Sequence, residues 1–184
     1  IPEARRALED VGLADEVDLV VAGGIRNGGD VAKCLALGAK AVALGTAALM
    51  ALNCNKHIEG VTDYEGTIGV PAGECYHCHT GRCPVGVATQ DVELRARLDV
   101  DEAALRVYNF LHTLTMEVQL LARACGKTNI HSLEPEDLAA LTHEASAMAK
   151  VPLAGTTYIP GVSEERALAE MKDLMAKQIA NQGS

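Results

Sequence analysis

The spacing of apolar residues predicts a strand–helix repeat in the first third of the chain. The run VDLVVAGG is almost wholly apolar and ends in glycines, which is typical of a strand buried on both faces of a parallel sheet. A helix between two such strands makes them parallel neighbours, so the pattern indicates a β-α-β-α unit. The predicted elements are a helix over 3–11, a strand over 17–24, a helix over 28–38, a strand over 40–45 and a helix over 46–52.

Beyond this unit the pattern changes twice. Regular periodicity disappears between residues 53 and 91, and a loop this long in a compact protein is usually functional or held by a metal. Helical spacing returns after Asp99, which can cap the helix with Glu102 in a capping box, and stops at Gly126. We expect one stripe of this helix to be core, and its members are Val107, Leu111, Leu114, Val118, Leu121 and Cys125.

The remaining residues predict a helix over 135–149 and a terminal helix over 163–180. The chain therefore divides into three regions, which are a strand–helix region over 1–52, a cysteine-rich loop over 53–91 and a helical region over 92–184. It opens without Met, in what reads as the middle of a helix. We therefore expect a fragment of a longer protein.

Charge and cysteine content narrow the class of function. The net charge is −9 with scattered acids, which argues against a nucleic-acid or anionic-membrane surface. No apolar run approaches the ~20 residues of a membrane span, and no signal-like start is present. These features predict a cytoplasmic protein that acts on small molecules. Six cysteines in such a chain favour metal or redox chemistry over disulfides.

Both predicted strands end in glycine, at Gly23–Gly24 and at Gly45. Ligands of parallel α/β sheets bind at the carboxyl ends of strands, where glycine lets backbone N–H groups approach a phosphate. The Rossmann pattern G-x-G-x-x-G is absent, since Arg26 stands where its second glycine would be. The Walker pattern is absent from the sequence as well. The pair of loops fits the last two strands of a (β/α)8 barrel, with Arg26 and Thr46 as further phosphate contacts. Simple tight turns are the alternative.

Three cysteines are concentrated in the loop, at Cys75, Cys78 and Cys83, and a proline follows the last. Short cysteine spacings with a Cys-Pro step are typical of iron–sulfur proteins. Zinc is the alternative, with His77 or His79 as a fourth ligand.

Two stretches resemble the synthase domain of the glutamate synthase large subunit. They are AGGIRNGGDVAKCLALGAKAVALGTAAL (22–49) and, following it, CHTGRCPVGVATQD (78–91). The resemblance implies an α/β fold, the C-terminal portion of a (β/α)8 TIM-like barrel with its last two βα units, followed by the cysteine loop and a helical tail. It also implies FMN at the barrel mouth, with its phosphate pocket lined by Gly23, Gly24, Arg26, Gly45 and Thr46.

The resemblance further implies a three-iron cluster held by three cysteines, of which Cys78 and Cys83 match the last two. Ala72 stands in the place of the first. Cys54 or Cys75 could take the place of this first cysteine. If Cys54 is the ligand, the residues between Cys54 and Cys75 are an insertion relative to the family. With all four thiols a four-iron cluster is possible, so both 3Fe-4S and 4Fe-4S types remain open.

The implied activity is the reductive amination of 2-oxoglutarate to L-glutamate. In this family reduced FMN donates a hydride to 2-iminoglutarate, and the cluster relays electrons from a reductase subunit or ferredoxin. The rest of the barrel and a glutaminase domain or subunit would be the other partners. Catalytic residues would lie on earlier strands, so none is assigned here. The alternatives are a related FMN-dependent N-methylglutamate synthase and a non-catalytic, metal-stapled interaction module.

Overall fold

The computed structural model describes residues 1–71, 75, 77–166, 168–169 and 172. None of the helices in this part of the chain is long and apolar enough to cross a membrane. The strands are β1 (Val20–Ala22) and β2 (Ala41–Ala43). The helices are α1 (Pro2–Asp10), α2 (Gly28–Ala36), α3 (Thr46–Ala51), α4 (Tyr64–Ile68), α5 (Val92–Arg95), α6 (Val100–Ala124) and α7 (His143–Ala149). Short 3₁₀ turns occupy His77–His79, Ile130–Ser132 and Pro135–Asp137.

The predicted strand–helix–strand–helix order is confirmed at the start of the chain. Strands β1 and β2 pair in a two-stranded parallel sheet, and α2 forms the crossover between them. Helix α2 buries one face, made of Val31, Ala32, Leu35 and Ala36. After the helix, Gly38 adopts a left-handed φ of 103°, which a glycine tolerates without strain, and the chain turns into β2. The described part of the chain is therefore an α/β fold.

The prediction that both strands are buried on both faces is wrong for the described residues. Each strand has three residues in the order exposed, half-buried, exposed, and Val20 is 63% exposed. The physical reason is that burial of a parallel strand on both faces needs neighbouring strands and covering helices on each side. Here each strand pairs with one other strand.

The described chain divides into two compact units. One consists of residues 1–21, 29–42 and 118–184, and the other of residues 22–28 and 43–117. The second unit therefore contains both glycine loops, the cysteine loop and most of α6.

Helix α6 is present as predicted, but its buried stripe is shifted. Leu114 and Val118 are buried as expected, and the stripe continues through the small residues Ala103 and Ala122. Small side chains allow close approach of neighbouring elements, so the alanines face inward in place of larger residues. The residues of the predicted stripe that are exposed are Leu111, Leu121 and Cys125.

The helix predicted over 135–149 is shorter than expected. Pro135–Asp137 forms a 3₁₀ turn, and Ala140 then makes an isolated parallel bridge with Leu153. Helix α7 begins only after Thr142, whose Oγ1 accepts a hydrogen bond from the Ala145 N–H over 3.1 Å. A local cap thus fixed the start of this helix. Of the terminal helix predicted over 163–180, residues 163–166, 168–169 and 172 are helical, and residues 167, 170–171 and 173–180 lie outside the described residues.

Candidate functional site

The loops that follow β1 and β2 line a single cavity of about 760 Å³. Because both strands end at the same edge of the sheet, the chain brings these loops together although twenty residues separate them. The sequence-predicted phosphate residues on its wall are Gly23, Gly24, Arg26, Gly45 and Thr46. The remaining wall residues are all apolar, and they are Ala22, Ile25, Ala43, Leu44, Ala47, Met50, Ala51 and Phe110.

The glycines keep this cavity open beside the backbone. Gly23 and Gly24 have left-handed φ angles of 100° and 72°, which L side chains rarely adopt. A Cβ built on Gly23, Gly24 or Gly45 would meet no atom within 4 Å. The space next to these backbone positions is therefore free of protein atoms. An anionic group could approach there as closely as glycine permits.

Sequence reasoning missed the contribution of α6 to this cavity. Phe110, the one phenylalanine of the chain, lies on the cavity wall. One turn earlier on the helix, Arg106 Nε donates a hydrogen bond to the Ala51 carbonyl oxygen at the end of α3 over 3.3 Å. Helix α6 is thus tied to the element that follows the second glycine loop. The helical spacing of Arg106 and Phe110 was visible in the sequence, but nothing local showed what that face contacts.

The four candidate ligand cysteines belong to one unit of the fold. Cys83 is 4% exposed, Cys54 and Cys75 are half-buried, and Cys78 is exposed. Burial raises the pKa of the Cys54 thiol, and the charges of neighbouring thiols raise that pKa further. Those neighbours are Cys78, Cys83 and Cys75. The structure therefore places Cys54 within electrostatic reach of the cluster of cysteines that follows it in sequence.

Backbone N–H groups that follow Cys83 in the chain act on the pKa of its thiol. Burial of this thiol raises its pKa, but hydrogen bonds from the N–H groups that follow it in the chain lower it by more. The net pKa lies below the ordinary value, so this thiol ionises more readily than an ordinary cysteine. The thiolate is the form of cysteine that binds iron or zinc, and hydrogen bonds from N–H donors stabilise it. The donors are Ala88, Val85, Val87 and Gly86.

The loop that carries these donors is packed against α5. Gly86 has a φ of 87°, and a Cβ there would lie 2.4 Å from the Leu94 carbonyl oxygen. Only glycine fits this position. Arg97 Nη1 also donates to the Pro84 carbonyl oxygen over 2.8 Å, and Asp91 caps α5. The conformation around Cys83 is thus fixed by contacts that the cysteine spacing alone did not reveal.

The two loop histidines differ in their surroundings. His77 Nε2 donates to the Ile68 carbonyl oxygen over 2.6 Å, which ties the 3₁₀ turn to the end of α4. His79 is exposed. Within the described residues, no three His, Cys, Asp or Glu side chains converge on a position suited to a single metal ion.

The sequence of the chain matches a known family over most of its length. The matched family is described as "Conserved region in glutamate synthase", and the match covers residues 1–71 and 64–128. The chain belongs to the glutamate synthase family. The two matched segments overlap within the cysteine-rich loop, between residues 64 and 71.

Relatives in the glutamate synthase family are considerably longer than this chain. A "Glutamate synthase large subunit-like protein" of Rhizobium meliloti is 54% identical over 88% of the chain and 36% of its own length. The "Archaeal glutamate synthase [NADPH]" of Methanocaldococcus jannaschii is 40% identical over 68% of the chain and 21% of its own length. The "Ferredoxin-dependent glutamate synthase" of Pyropia yezoensis is 34% identical over 64% of the chain and 7% of its own length. The chain thus spans about a third or less of each of these relatives.

The family match contains both candidate sites. The glycine loops fall in its first segment, and Cys75, Cys78 and Cys83 fall in its second. The resemblance noted from the two sequence stretches is therefore confirmed at the level of the glutamate synthase family.

Proposed function

We propose that this chain forms the FMN-phosphate and iron–sulfur part of a glutamate synthase, at the end of a (β/α)8 barrel. The observation that carries the proposal is the common cavity of the two glycine loops. Five residues selected from the sequence as phosphate contacts lie on its wall. In barrels of this class, a phosphate is held by the loops after the last two strands.

The cavity suits the phosphate end of FMN. A Cβ at Gly23, Gly24 or Gly45 would meet no atom within 4 Å, so there is room beside the backbone where a phosphate could approach the N–H groups. Arg26 would supply a charge-assisted hydrogen bond, and Thr46 a hydroxyl. When bound, FMN would supply the hydride chemistry, and the protein would supply binding and orientation.

The cysteine loop supplies the thiols that an iron–sulfur cluster requires. Cys75, Cys78 and Cys83 lie close together in sequence, and a proline follows the last of them, as is typical of iron–sulfur proteins. A cluster of several irons spreads its thiolates over a larger core. The charges of Cys78, Cys83 and Cys75 contribute to the raised pKa of the Cys54 thiol, and hydrogen bonds from backbone N–H groups lower the pKa of the Cys83 thiol. Such a cluster would relay electrons to the flavin.

The proposed reaction joins 2-oxoglutarate to ammonia with loss of water and reduces the resulting imine. One hydride and one proton added across the C=N bond give L-glutamate. The names of the relatives point to either NADPH, through a reductase, or ferredoxin as electron donor. Ammonia would come from a glutaminase domain or subunit outside this chain, and the 2-oxoglutarate site would lie on the remaining barrel strands.

The test is a purification of the full-length protein that contains this chain, under exclusion of oxygen. We expect a brown protein with bound FMN and with iron and acid-labile sulfide in near-equal amounts. Ammonia with 2-oxoglutarate should support glutamate formation when a reduced donor is present. Stoichiometric zinc without flavin would contradict the proposal and favour the non-catalytic, metal-stapled module.

A second candidate activity is N-methylglutamate synthesis, in which methylamine replaces the amino group of glutamate and ammonia is released. The observation in its favour is that the 54% identical relative is named only as large-subunit-like, whereas the relatives named as glutamate synthases are 34–40% identical. Comparing ammonia, glutamine and methylamine as nitrogen donors distinguishes the two. If methylamine is the one nitrogen donor of the three that gives a product, the second candidate activity is the correct one.

We predict that Cys54 determines the type of the cluster. If Cys54 is a ligand, Cys54→Ser in the full-length protein should change the electron paramagnetic resonance spectrum and leave the FMN content intact. The reason is that the charges of the three loop thiols contribute to the raised pKa of Cys54. The matched control is Cys34→Ser, since Cys34 is equally half-buried but lies in the other unit. An unchanged spectrum would mean that Cys75, Cys78 and Cys83 suffice.

A further inference from the structure

A carboxylate from a distant part of the chain holds the end of the first glycine loop. Glu117 Oε2 accepts a hydrogen bond from the Gly28 N–H over 2.7 Å, across 89 residues of sequence. Gly28 is the first residue of α2, where the backbone N–H has no partner within the helix. The negative carboxylate is also favoured by the positive end of the helix. This contact joins α6 to the point where the loop after β1 ends.

The contact is enforced by close packing. A Cβ on Gly28 would lie 2.7 Å from the Leu114 carbonyl oxygen and 2.7 Å from Glu117 Cβ. Any side chain at residue 28 would therefore push the end of the loop away from α6. The glycine permits the approach, and the carboxylate of Glu117 fixes it.

One face of α6 supports the walls of the cavity at both loops. Arg106, Phe110 and Glu117 follow one another at helical spacings of four and seven residues, which places them on the same side of the helix. Arg106 holds the end of α3, and Phe110 lines the cavity. Glu117 holds the start of α2. The two glycine loops thus share one rigid support.

The first loop needs such an anchor. It contains two successive left-handed glycines, Gly23 and Gly24, and glycine loses the most conformational freedom when it is ordered. Sheet pairing fixes β1 before the loop, and Ile25 is buried within it. The Gly28–Glu117 bond fixes the other end. A loop ordered before the ligand arrives binds it more tightly, because less entropy is lost on binding.

We propose that Glu117 is a positioning residue for the phosphate end of the flavin. It acts through the Gly28 N–H and does not touch the cofactor. The proposal rests on the proposed FMN site and assigns a role there to a residue outside both glycine loops. Since the anchor acts on the phosphate loop, its loss should weaken FMN binding but not the binding of riboflavin, which lacks the phosphate.

The test compares dissociation constants of FMN and riboflavin for the flavin-free full-length protein, measured by flavin fluorescence. Glu117→Gln keeps the length and an acceptor oxygen, so it should stay within about twofold of the parent protein. Glu117→Ala loses the acceptor and Glu117→Asp is too short to reach it. Both should raise the FMN dissociation constant about tenfold and leave that of riboflavin unchanged. Gln119→Ala, an exposed position two residues further on the same helix, is the control.

A second readout does not depend on flavin. Hydrogen–deuterium exchange of residues 23–28 should be faster in Glu117→Ala and Glu117→Asp, with unchanged exchange in the cysteine loop. Equal weakening of both flavins would show a general loss of stability and overturn the proposal. If Glu117→Asp binds FMN normally and Glu117→Gln binds it weakly, Glu117 acts through its charge and not through the hydrogen bond to Gly28. That result would overturn the proposal. Equal affinity of the parent protein for FMN and riboflavin would contradict the proposed FMN-phosphate site. Unchanged hydrogen–deuterium exchange of residues 23–28 in the two variants would contradict the role of Glu117 as an anchor of the loop.

Discussion

Replacing Cys83 by serine should remove the iron–sulfur cluster from the full-length protein while FMN stays bound. Cys83 is the most buried of the candidate ligands, and backbone N–H groups stabilise its thiolate. A serine hydroxyl at this position has a far higher pKa and does not replace a thiolate as an iron ligand. Iron and labile sulfide should fall to background, and the rate of flavin reduction by the external donor should drop about a hundredfold or more.

Two further variants make this prediction specific. Cys125→Ser changes an exposed thiol in the other unit of the fold and should leave the iron and sulfide content unchanged. Gly86→Ala keeps every thiol, but its Cβ would lie 2.4 Å from the Leu94 carbonyl oxygen. It should therefore displace the N–H groups around Cys83 and lower cluster occupancy. Full iron content in Cys83→Ser would contradict the assignment of this residue as a ligand.

Residues 1–184 expressed alone should neither bind FMN tightly nor form glutamate. In the proposed function the chain contributes only the phosphate contacts, and burial of the flavin ring needs apolar walls and hydrogen-bonding groups that the rest of the proposed barrel would supply. Val20 is exposed, and among the residues that the structure describes no further strand pairs with the outer edges of the two-stranded sheet. We expect it to aggregate unless the preceding part of the barrel is supplied in cis or in trans.

The measurement is a fluorescence titration of FMN against the isolated segment, with the full-length protein as the reference. Light scattering or gel filtration of the same sample reports its association state. Tight FMN binding by a soluble, monomeric segment would show that these residues form a complete flavin domain and would refute the barrel assignment.

Local pattern was sufficient for the elements that depend on neighbouring residues. Apolar runs that end in glycine located β1 and β2, and apolar residues at helical spacing located α2 and α3, because these patterns are carried by neighbouring residues. Asp99 was expected to cap α6, and its Oδ1 accepts the Glu102 N–H over 3.0 Å. The family resemblance also rested on short, contiguous motifs, so the order of the residues was enough to reveal it.

Tertiary structure decided the features that depend on partners distant in sequence. The buried face of α6 runs through Ala103 and Ala122, since what a helix buries depends on what packs against it. Two interactions link residues that lie 21 to 89 positions apart in the sequence. They are the electrostatic effect of the loop thiols on Cys54 and the hydrogen bond from the Gly28 N–H to Glu117. A single sequence shows which residues share one face of a helix or strand. It does not show which element packs against that face, because this depends on the packing of the whole chain. The sequence by itself therefore determined the family, the strand order and the candidate ligands, and only the fold showed which residues hold them in place.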